Sequence, residues 1–461
     1  MSRQDTVNPM IVKAAPIASA VYMGLGQILF LKQYVRGALF ALLETIVLFL
    51  FAFESGTMAL NFKGPLAQAL VGLVTLGKPS ASSGFTDWSH MPVRDRPHSI
   101  FMLITGLIVL IAMLLYFIIY AYNIISARKA AQTAVKTGKH YSFKETKHLI
   151  HDKAFPVVGL APVLALIAFF TVVPLLFSAL VGFTDYSSPN NIPPANLVSW
   201  VGFENFQQLF TASETNAWYT AFGRVAVWNI TWAFFATFSC YFVGMFFAVI
   251  LIDKRIKVSN VFRTIFVLPY AVPTLLSLLI WANLLNGTFG PINRTLVELG
   301  LMQTGIPWIS DPSMAKVTMI LVNIWIGFPY SMMLITSNMT AIPSQLYEAA
   351  IIDGANKFQQ FWTITLPLVL FQTGPILVMQ FAGNINNFGA VFFLTNGGPT
   401  LSDSIATKAG ATDLMISWIY KLTIENWYNL ASVLSLLVFF FLVPFAVFNF
   451  TRTKSFRDGE I

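Results

Sequence analysis

The sequence predicts an all-α polytopic membrane protein with about eight transmembrane helices. Hydrophobic residues make up 56% of the 461 residues and charged residues only 10%, whereas about a quarter of a soluble globular protein is charged. The apolar residues are gathered into blocks of about 20, a length of helix that crosses roughly 30 Å of hydrocarbon. Together these observations exclude an ordinary soluble domain.

Eight apolar blocks are predicted to span the membrane. A further apolar segment, 14–31, is short and is interrupted by Pro16, Gly24 and Gly26, which disfavour a continuous helix. We expect this segment to be interfacial or half-inserted. The predicted spans are 37–53, 100–122, 157–182, 224–252, 262–285, 316–337, 368–388 and 429–450.

The distribution of Lys and Arg predicts the orientation, because cytoplasmic loops of membrane proteins carry an excess of these residues. With both termini in the cytoplasm, the cytoplasmic segments contain 19 of the 28 Lys and Arg residues, and the external loop 183–223 contains none. Segment 128–153 alone carries seven. We therefore attribute the net charge of +8 to loops beside anionic membrane lipids, and we expect no nucleic-acid partner.

A basic linker at about 126–154 divides the chain into two predicted parts. Residues 1–150 contain two spans and form an accessory N-terminal region, and residues 151–461 contain the other six spans. The function of the N-terminal region beyond anchoring is left open.

Three residues in or beside the spans are expected to have structural roles. The only cysteine, Cys240, lies within a span and is predicted to be a small packing residue. Glu44 is expected to pair with Arg36 or with a polar neighbour. Arg224 is expected to anchor a helix at the outer interface.

One polar, helix-forming segment, 347–367, lies between two apolar spans on the predicted cytoplasmic side. Small Ala side chains allow a helix to pack closely on a partner, and Gly354 permits a sharp reversal of the backbone. Pro367 disfavours a helical residue before it and is expected to mark the start of the next span. Glu348 and Asp353 are placed to offer carboxylates to a basic partner or to cap the second helix. An ordinary surface helix–turn–helix is the alternative.

This segment resembles the EAA loop of binding-protein-dependent ABC importer permeases, in which two short helices turn at a glycine and dock on a cytoplasmic ATPase. The resemblance implies a six-span core in a bacterial plasma membrane, a second homologous permease subunit, two ATP-binding cassette subunits that hold ATP and Mg²⁺, and an extracytoplasmic sugar-binding lipoprotein. The chain has no Gly-x-x-x-x-Gly-Lys-Ser/Thr loop, so we expect it neither to hydrolyse ATP nor to bind a cofactor or metal itself. The matching residues of the coupling loop 338–367 are Glu348, Ala349, Ala350, Asp353, Gly354, Ala355 and Pro367.

Uncharged polar residues in the core spans are candidates for a translocation pathway, because polar groups within a membrane are costly unless they are paired or functional. The six core spans contain no Asp or Glu, which disfavours a proton- or sodium-coupled carrier. Amides, hydroxyls and aromatic rings suit a neutral sugar. The alternative is that the amides form hydrogen bonds between helices. The candidates are Asn323, Gly327 and Tyr330 on one helical face, Gln380, Asn384 and Asn387 on another, and Ser277 in a third span.

The surrounding segments resemble the larger maltose/maltodextrin permease subunits, notably at 262–293, 321–330 and 384–399. Two family contacts differ here: Gln380 replaces a serine and Gly383 replaces a phenylalanine. These differences favour a roomier site, which a longer maltodextrin or a galacto-oligosaccharide fits equally well. The family's other sugar contacts match Ser277, Asn323, Ile326, Gly327, Tyr330, Asn384 and Asn387.

The predicted function is that of the transmembrane permease subunit of an ATP-driven oligosaccharide importer, with maltose or maltodextrin as the first choice of substrate. Galacto-oligosaccharides or another sugar are the alternative, and an ion-coupled secondary carrier is a weaker one. A membrane-embedded enzyme is disfavoured, because the core spans contain no Asp/Glu pair, His cluster or Ser–His pair. The loop centred on Gly354 is expected to transmit ATP-driven closure to the core spans in an alternating-access cycle.

Overall fold

The predicted spans are present as long apolar helices. The computed structural model describes residues 8–53, 63–78, 98–138, 155–192, 196–213, 215–253 and 255–451. In these ranges seven helices are long and apolar enough to cross a membrane, and a strongly bent pair makes eight if it is counted as one span. The predicted all-α polytopic fold is therefore confirmed.

The chain packs into two units. One contains residues 1–180 with 189–200, and the other contains residues 181–188 with 201–461. The predicted division at residue 150 falls in a segment outside the described residues, as does most of the basic linker, and it stays a prediction. The third predicted span is grouped mainly with the first unit, and only 6% of its most apolar stretch is buried.

Six helices lie in the described part of the first unit, the last of them ending at the junction. They are α1 (Ile11–Val21), α2 (Leu25–Leu29), α3 (Tyr34–Ala52), α4 (Pro65–Thr75), α5 (Ser99–Thr137) and α6, which joins Phe155–Ile167, the π-helical turn Ala168–Val172 and Val173–Val181.

The apolar segment 14–31 does not form one span. It is divided between α1 and α2, and the chain turns between them at Gly24, whose φ is +84°. A Cβ on Gly24 would lie 2.0 Å from the carbonyl oxygen of Gly37 in α3, so only glycine fits there. The predicted break in this segment is confirmed, whereas its depth in the membrane stays a prediction.

Buried polar side chains hold the α1–α2 hairpin against α5. The Gln27 amide accepts a hydrogen bond from Ser19 Oγ at 2.7 Å and donates one to Asn123 Oδ1 at 2.7 Å. Glu44, which is buried, accepts a hydrogen bond from the backbone N–H of Met23. The polar-neighbour alternative for Glu44 is therefore the correct one. Its other predicted partner, Arg36, has its guanidinium 5.8 Å from the centre of the Tyr122 ring.

The second unit contains the helices of the predicted permease core that follow α6. In its described residues these are α7 (Glu204–Phe210), α8 (Ala217–Ile252), α9 (Ser259–Ala271), α10 (Thr274–Leu284), α11 (Pro291–Glu298), α12 (Pro312–Thr340), α13 (Ser344–Ile352), α14 (Lys357–Ile385), α15 (Phe388–Leu394), α16 (Ser404–Thr407), α17 (Met415–Ile424) and α18 (Tyr428–Thr451).

The predicted span 262–285 is broken rather than continuous. Helices α9 and α10 meet at an angle of 87°. Pro269 lies inside α9 and Pro273 is the N-cap of α10. Because a proline cannot donate a backbone hydrogen bond and its ring clashes with the preceding turn, two prolines at this spacing explain the break.

Helix α8 is the centre of the second unit, and α12 crosses it closely. A Cβ on Gly244 of α8 would lie 2.6 Å from Ser331 Cβ and 2.7 Å from the backbone nitrogen of Met332 in α12. Small residues allow helix backbones to approach in this way, which is the usual basis of helix packing in membranes. The crossing places the polar residues of α8 and α12 side by side.

Candidate functional site

The coupling loop is a helix–turn–helix, as predicted. Helix α13 ends at Ile352, and the chain reverses at Gly354, which has a φ of +81°. The next helix is capped by Asn356, whose side chain accepts from the backbone N–H of Gln359 while the Gln359 side chain accepts from the backbone N–H of Asn356. The prediction that Glu348 or Asp353 caps the second helix is therefore wrong, because Asn356 stands at the N-cap position.

Pro367 does not mark the start of a helix. Helix α14 begins ten residues earlier, at Lys357, and runs without interruption to Ile385. The stretch Phe361–Thr365, just before the proline, is π-helical. A π-helical turn is wider than an α-helical turn and can accommodate the missing N–H of Pro367. The helix therefore continues where we predicted a break.

The coupling loop exposes both apolar and acidic side chains. Ile352 is 86% exposed and Phe358 is 70% exposed, and Glu348 and Asp353 are also exposed. Tyr347 Oη and Thr365 Oγ1 are 2.9 Å apart and tie α13 to α14. Of the other predicted coupling residues, Ala349 is exposed, and Ala350 and Ala355 are partly buried. The loop is thus held by the contact between α13 and α14, and it leaves large apolar side chains exposed.

A row of hydrogen-bonded side chains, here called the polar seam, lies where α12 and α14 meet α8. On the α12 side, Asn323 Nδ2 donates to the carbonyl oxygen of Ala236 and to Cys240 Sγ, both at 3.3 Å. A Cβ on Gly327 would lie 2.9 Å from Cys240 Sγ, so the glycine permits this contact. No described residue hydrogen-bonds to Asn323 Oδ1.

The α14 side of the polar seam contacts the neighbouring position of α8. Asn384 Nδ2 donates to Thr237 Oγ1 at 3.0 Å, and the indole N–H of Trp232 donates to the carbonyl oxygen of Asn384 at 3.2 Å. Asn387 Nδ2 donates to Asn384 Oδ1 at 3.3 Å. Since Ala236 and Thr237 are adjacent, Asn323 and Asn384 lie on two flanks of the same turn of α8.

The remaining predicted sugar contacts have different surroundings. Ser277 is 3% exposed, and its hydroxyl has no hydrogen-bond partner among the described residues. The rings of Tyr330 and Tyr270 are 5.9 Å apart. Ile326 is buried in the apolar cluster around Trp228, Trp232 and Met319.

The two positions that differ from the resembled family lie on α14. Gln380 is partly buried, Gly383 is exposed, and a Cβ on Gly383 would meet no described atom outside the surrounding helix backbone within 4 Å. The roomier site stays a prediction. Hydrogen bonds join Asn323, Asn384 and Asn387 through α8, whereas no side-chain hydrogen bond among the described residues joins Ser277 or Gln380 to them.

Two residues of α8 belong to the polar seam although the sequence did not predict them as site residues. Thr237 accepts a hydrogen bond from Asn384, and Cys240 accepts one from Asn323. A signal was present, because Ala236, Cys240 and Gly244 recur every four residues, a spacing of small residues that brings membrane helices together. The amides at the crossing could have been assigned to α8 from that pattern.

Charged residues fasten the loop between α15 and α17 above the polar seam. Arg224 binds Asp403 at 2.8 Å and the carbonyl oxygen of Gly410 at 2.6 Å. Its predicted role as an anchor at the outer membrane interface stays a prediction. Asp413 is fully buried and accepts from Lys421 Nζ at 2.6 Å. Burial raises the pKa of the Asp413 carboxyl, and the Lys421 ammonium acts in the opposite direction.

Comparison with known proteins identifies the family. Residues 240–455 match the family described as "Binding-protein-dependent transport system inner membrane component". The chain is 33% identical to the galactooligosaccharides transport system permease protein of Bacillus subtilis (strain 168), over 95% of this chain and 97% of that one. It is also 33% identical to the maltodextrin transport system permease protein of the same organism, over the full length of both. The chain belongs to this family of permeases.

Two further comparisons agree with this family and with this fold. It is 36% identical to the maltose/maltodextrin transport system permease protein of Escherichia coli (strain K12), over 55% of this chain and 49% of that one. Its fold resembles the crystal structure of a bacterial ABC transporter involved in the import of alginate, with a TM-score of 0.50, 18% identity, and coverage of 65% of this chain and 95% of that one. The predicted resemblance to a binding-protein-dependent importer permease is confirmed.

Proposed function

We propose that this permease is the translocation subunit of an ATP-driven importer for neutral oligosaccharides. Full-length relatives named for maltodextrin and for galactooligosaccharides support the substrate class. The chemistry of the polar seam supports it as well, since uncharged amides and hydroxyls bind sugar hydroxyls. Maltodextrin is our first choice of substrate. Galacto-oligosaccharides are the alternative, because the chain is also 33% identical to the relative named for them.

The proposed complex contains a second homologous permease, two ATP-binding cassette subunits that hold ATP and Mg²⁺, and an extracytoplasmic sugar-binding lipoprotein. The crystal structure of a transporter of similar fold is a complex with a periplasmic protein that holds an alginate pentasaccharide. We place the permease in a bacterial plasma membrane with both termini and the coupling loop in the cytoplasm, as the distribution of Lys and Arg indicates. The permease itself performs no chemistry on the sugar.

The observation that carries this proposal is the shape of the coupling loop. Exposed apolar side chains that occur together with polar residues mark a surface for a partner. Ile352 and Phe358 are 86% and 70% exposed in the same short segment as the exposed carboxylates of Glu348 and Asp353. An ATPase groove with an apolar floor and basic rim would complement this surface. Movement of the ATPase would then reach α12 and α14 directly, because α13 lies between them in the chain.

The coupling role can be tested by adding a charge to the apolar surface. Ile352→Asp and Phe358→Asp should leave the permease inserted but reduce the amount of ATPase subunit that co-purifies with it by about tenfold or more, since each desolvates a new carboxylate in the interface. Ile405→Asp is the matched control, because Ile405 is also 86% exposed but lies in the loop between α15 and α17. Full ATPase recovery with both coupling-loop variants would contradict the proposal.

The substrate can be tested by an uptake panel. Cells that lack the subunit should lose uptake of maltotriose, or of galactotriose if the second choice is correct, and regain it with the wild-type gene. Proteoliposomes that contain the whole complex should take up the same sugar only with internal ATP. Uptake driven by an ion gradient through the permease alone would refute the importer and support a secondary carrier.

A further inference from the structure

Lys316 lies on the same face of α12 as the candidate sugar residues. Asn323, Gly327 and Tyr330 follow it at i+7, i+11 and i+14, which is one stripe of a helix. At 1.5 Å per residue, Lys316 is about 10 Å from Asn323 along the helix axis. It is therefore a charged residue at the outer end of a row whose other members are neutral.

The surroundings of Lys316 do not explain its charge. It is half-buried, and none of the described carboxylates pairs with it. Its ammonium lies 5.0 Å from the centre of the Trp228 ring, and its charged neighbour is the Arg224 guanidinium, itself bound to Asp403.

The aromatic contact offsets only part of the cost of placing a charge here. A cation–π contact compensates partly for the desolvation of the ammonium. Proximity to the Arg224 guanidinium adds to that cost. A structural role therefore accounts poorly for a lysine here, whereas a passing ligand that accepts hydrogen bonds would supply the missing partner.

Hydrogen bonds hold the aromatic ring beside Lys316. The indole N–H of Trp228 donates to the carbonyl oxygen of Thr412 at 3.1 Å, and Thr412 Oγ1 lies 2.7 Å from Thr395 Oγ1. The neighbouring Asp413 is paired with Lys421. The ring that the ammonium contacts is therefore tied to the loop between α15 and α17.

We propose that Lys316 is a specificity-determining residue at the outer mouth of the pathway. Its ammonium donates hydrogen bonds to the hydroxyl oxygens of an entering oligosaccharide, before the sugar reaches Asn323 and Asn384. The same charge repels solutes that carry a protonated amine, so neutral and acidic saccharides are favoured over amino sugars. This inference rests on the proposed function of the permease as an oligosaccharide importer.

The test is chemical rescue of the charge in an assembled complex. Lys316→Cys is made in the native sequence, whose only cysteine, Cys240, is buried. Uptake of maltotriose and galactotriose is measured in proteoliposomes, with reagent-treated wild type as the control for Cys240. Uptake should fall by roughly tenfold, the effect of losing one charged hydrogen bond. Treatment with 2-aminoethyl methanethiosulfonate, which restores an ammonium, should recover most of it, and the anionic 2-sulfonatoethyl reagent should not. Because the complex is assembled before modification, recovery cannot reflect folding.

Lys408→Cys in the same background is the matched control, since Lys408 is an outer-loop lysine paired with Glu425 at 3.5 Å. Neither reagent should change its uptake. Wild-type uptake by the untreated Lys316→Cys variant, or equal effects of the two reagents on it, would overturn the inference while leaving the importer intact. Failure of wild type to take up either sugar would instead count against the proposed function.

Discussion

Replacement of Lys421 by Met should expose how strongly the buried Asp413 depends on its partner. Asp413 is 0% exposed, and its carboxylate also accepts from the Gly410 N–H at 2.7 Å and from Ser417 Oγ at 2.8 Å. Breaking a buried ion pair by removing one partner costs about 3–5 kcal/mol, because an uncompensated charge is left behind. The variant should therefore melt well below wild type.

The loss should also depend on pH. Burial raises the pKa of the Asp413 carboxyl, and without the Lys421 ammonium less opposes that rise. When a carboxyl has a higher pKa in the folded state than in the unfolded state, the neutral form stabilises the fold at low pH, and that stability is lost as pH rises through the folded-state pKa. We expect the stability of Lys421→Met to fall by up to about 1.4 kcal/mol per pH unit between the unfolded-state and the folded-state pKa of this carboxyl, and to level off above the folded-state pKa.

Thermal unfolding of the detergent-solubilised permease at pH 6 and pH 8.5 measures both effects. The gap between variant and wild type should be larger at the higher pH, and the double variant Asp413→Asn with Lys421→Met should lose this pH dependence. Lys408→Met is the control, because its ion pair with Glu425 is partly exposed and such pairs contribute less than about 1 kcal/mol. Equal melting of Lys421→Met and wild type at both pH values would refute the reasoning.

Three further variants test other contacts. Gly244→Val should separate α8 from α12 and destabilise the permease by about 1–3 kcal/mol, since a Cβ there would lie 2.6 Å from Ser331 Cβ; a wild-type melting temperature would contradict this. Gln27→Leu should loosen the α1–α2 hairpin by about 1–3 kcal/mol, because Ser19 and Asn123 lose their buried partner; limited proteolysis near the N-terminus is the readout, and unchanged cleavage would speak against it. Asn384→Leu should reduce sugar uptake at least tenfold with normal ATPase co-purification, whereas Asn386→Leu, at an exposed neighbour, should not; retained uptake with Asn384→Leu would make that amide a packing residue.

The fold class could be predicted from the sequence because it depends on local composition. In lipid, the backbone N–H and C=O groups of an apolar block of about 20 residues must form their hydrogen bonds within one helix. Each block therefore specifies a helix by itself. Details that depend on partners distant in sequence could not be predicted in the same way. Glu44 is an example, because its carboxylate accepts a hydrogen bond from the backbone N–H of Met23 rather than pairing with Arg36, which is nearer in the sequence.

Proline shows why a local rule can succeed at one position and fail at another. Pro273 breaks a span into α9 and α10, as its chemistry suggests. Pro367 has the same chemistry, yet α14 continues through it after the π-helical stretch Phe361–Thr365. The difference lies in how the preceding turn is packed, and this information is held by neighbouring helices rather than by the proline.

The two interpretations that the sequence left open for the polar seam are compatible, because an amide has both donors and an acceptor. Asn323 uses its N–H group to join α12 to α8, and its Oδ1 has no partner among the described residues. The same side chain can therefore hold two helices together and still accept a hydrogen bond from a sugar hydroxyl. In the importer proposed above, such a site would need no ionised group at membrane depth. A sugar hydroxyl bound to Asn323 Oδ1 would then link sugar binding to the contact between α8 and α12.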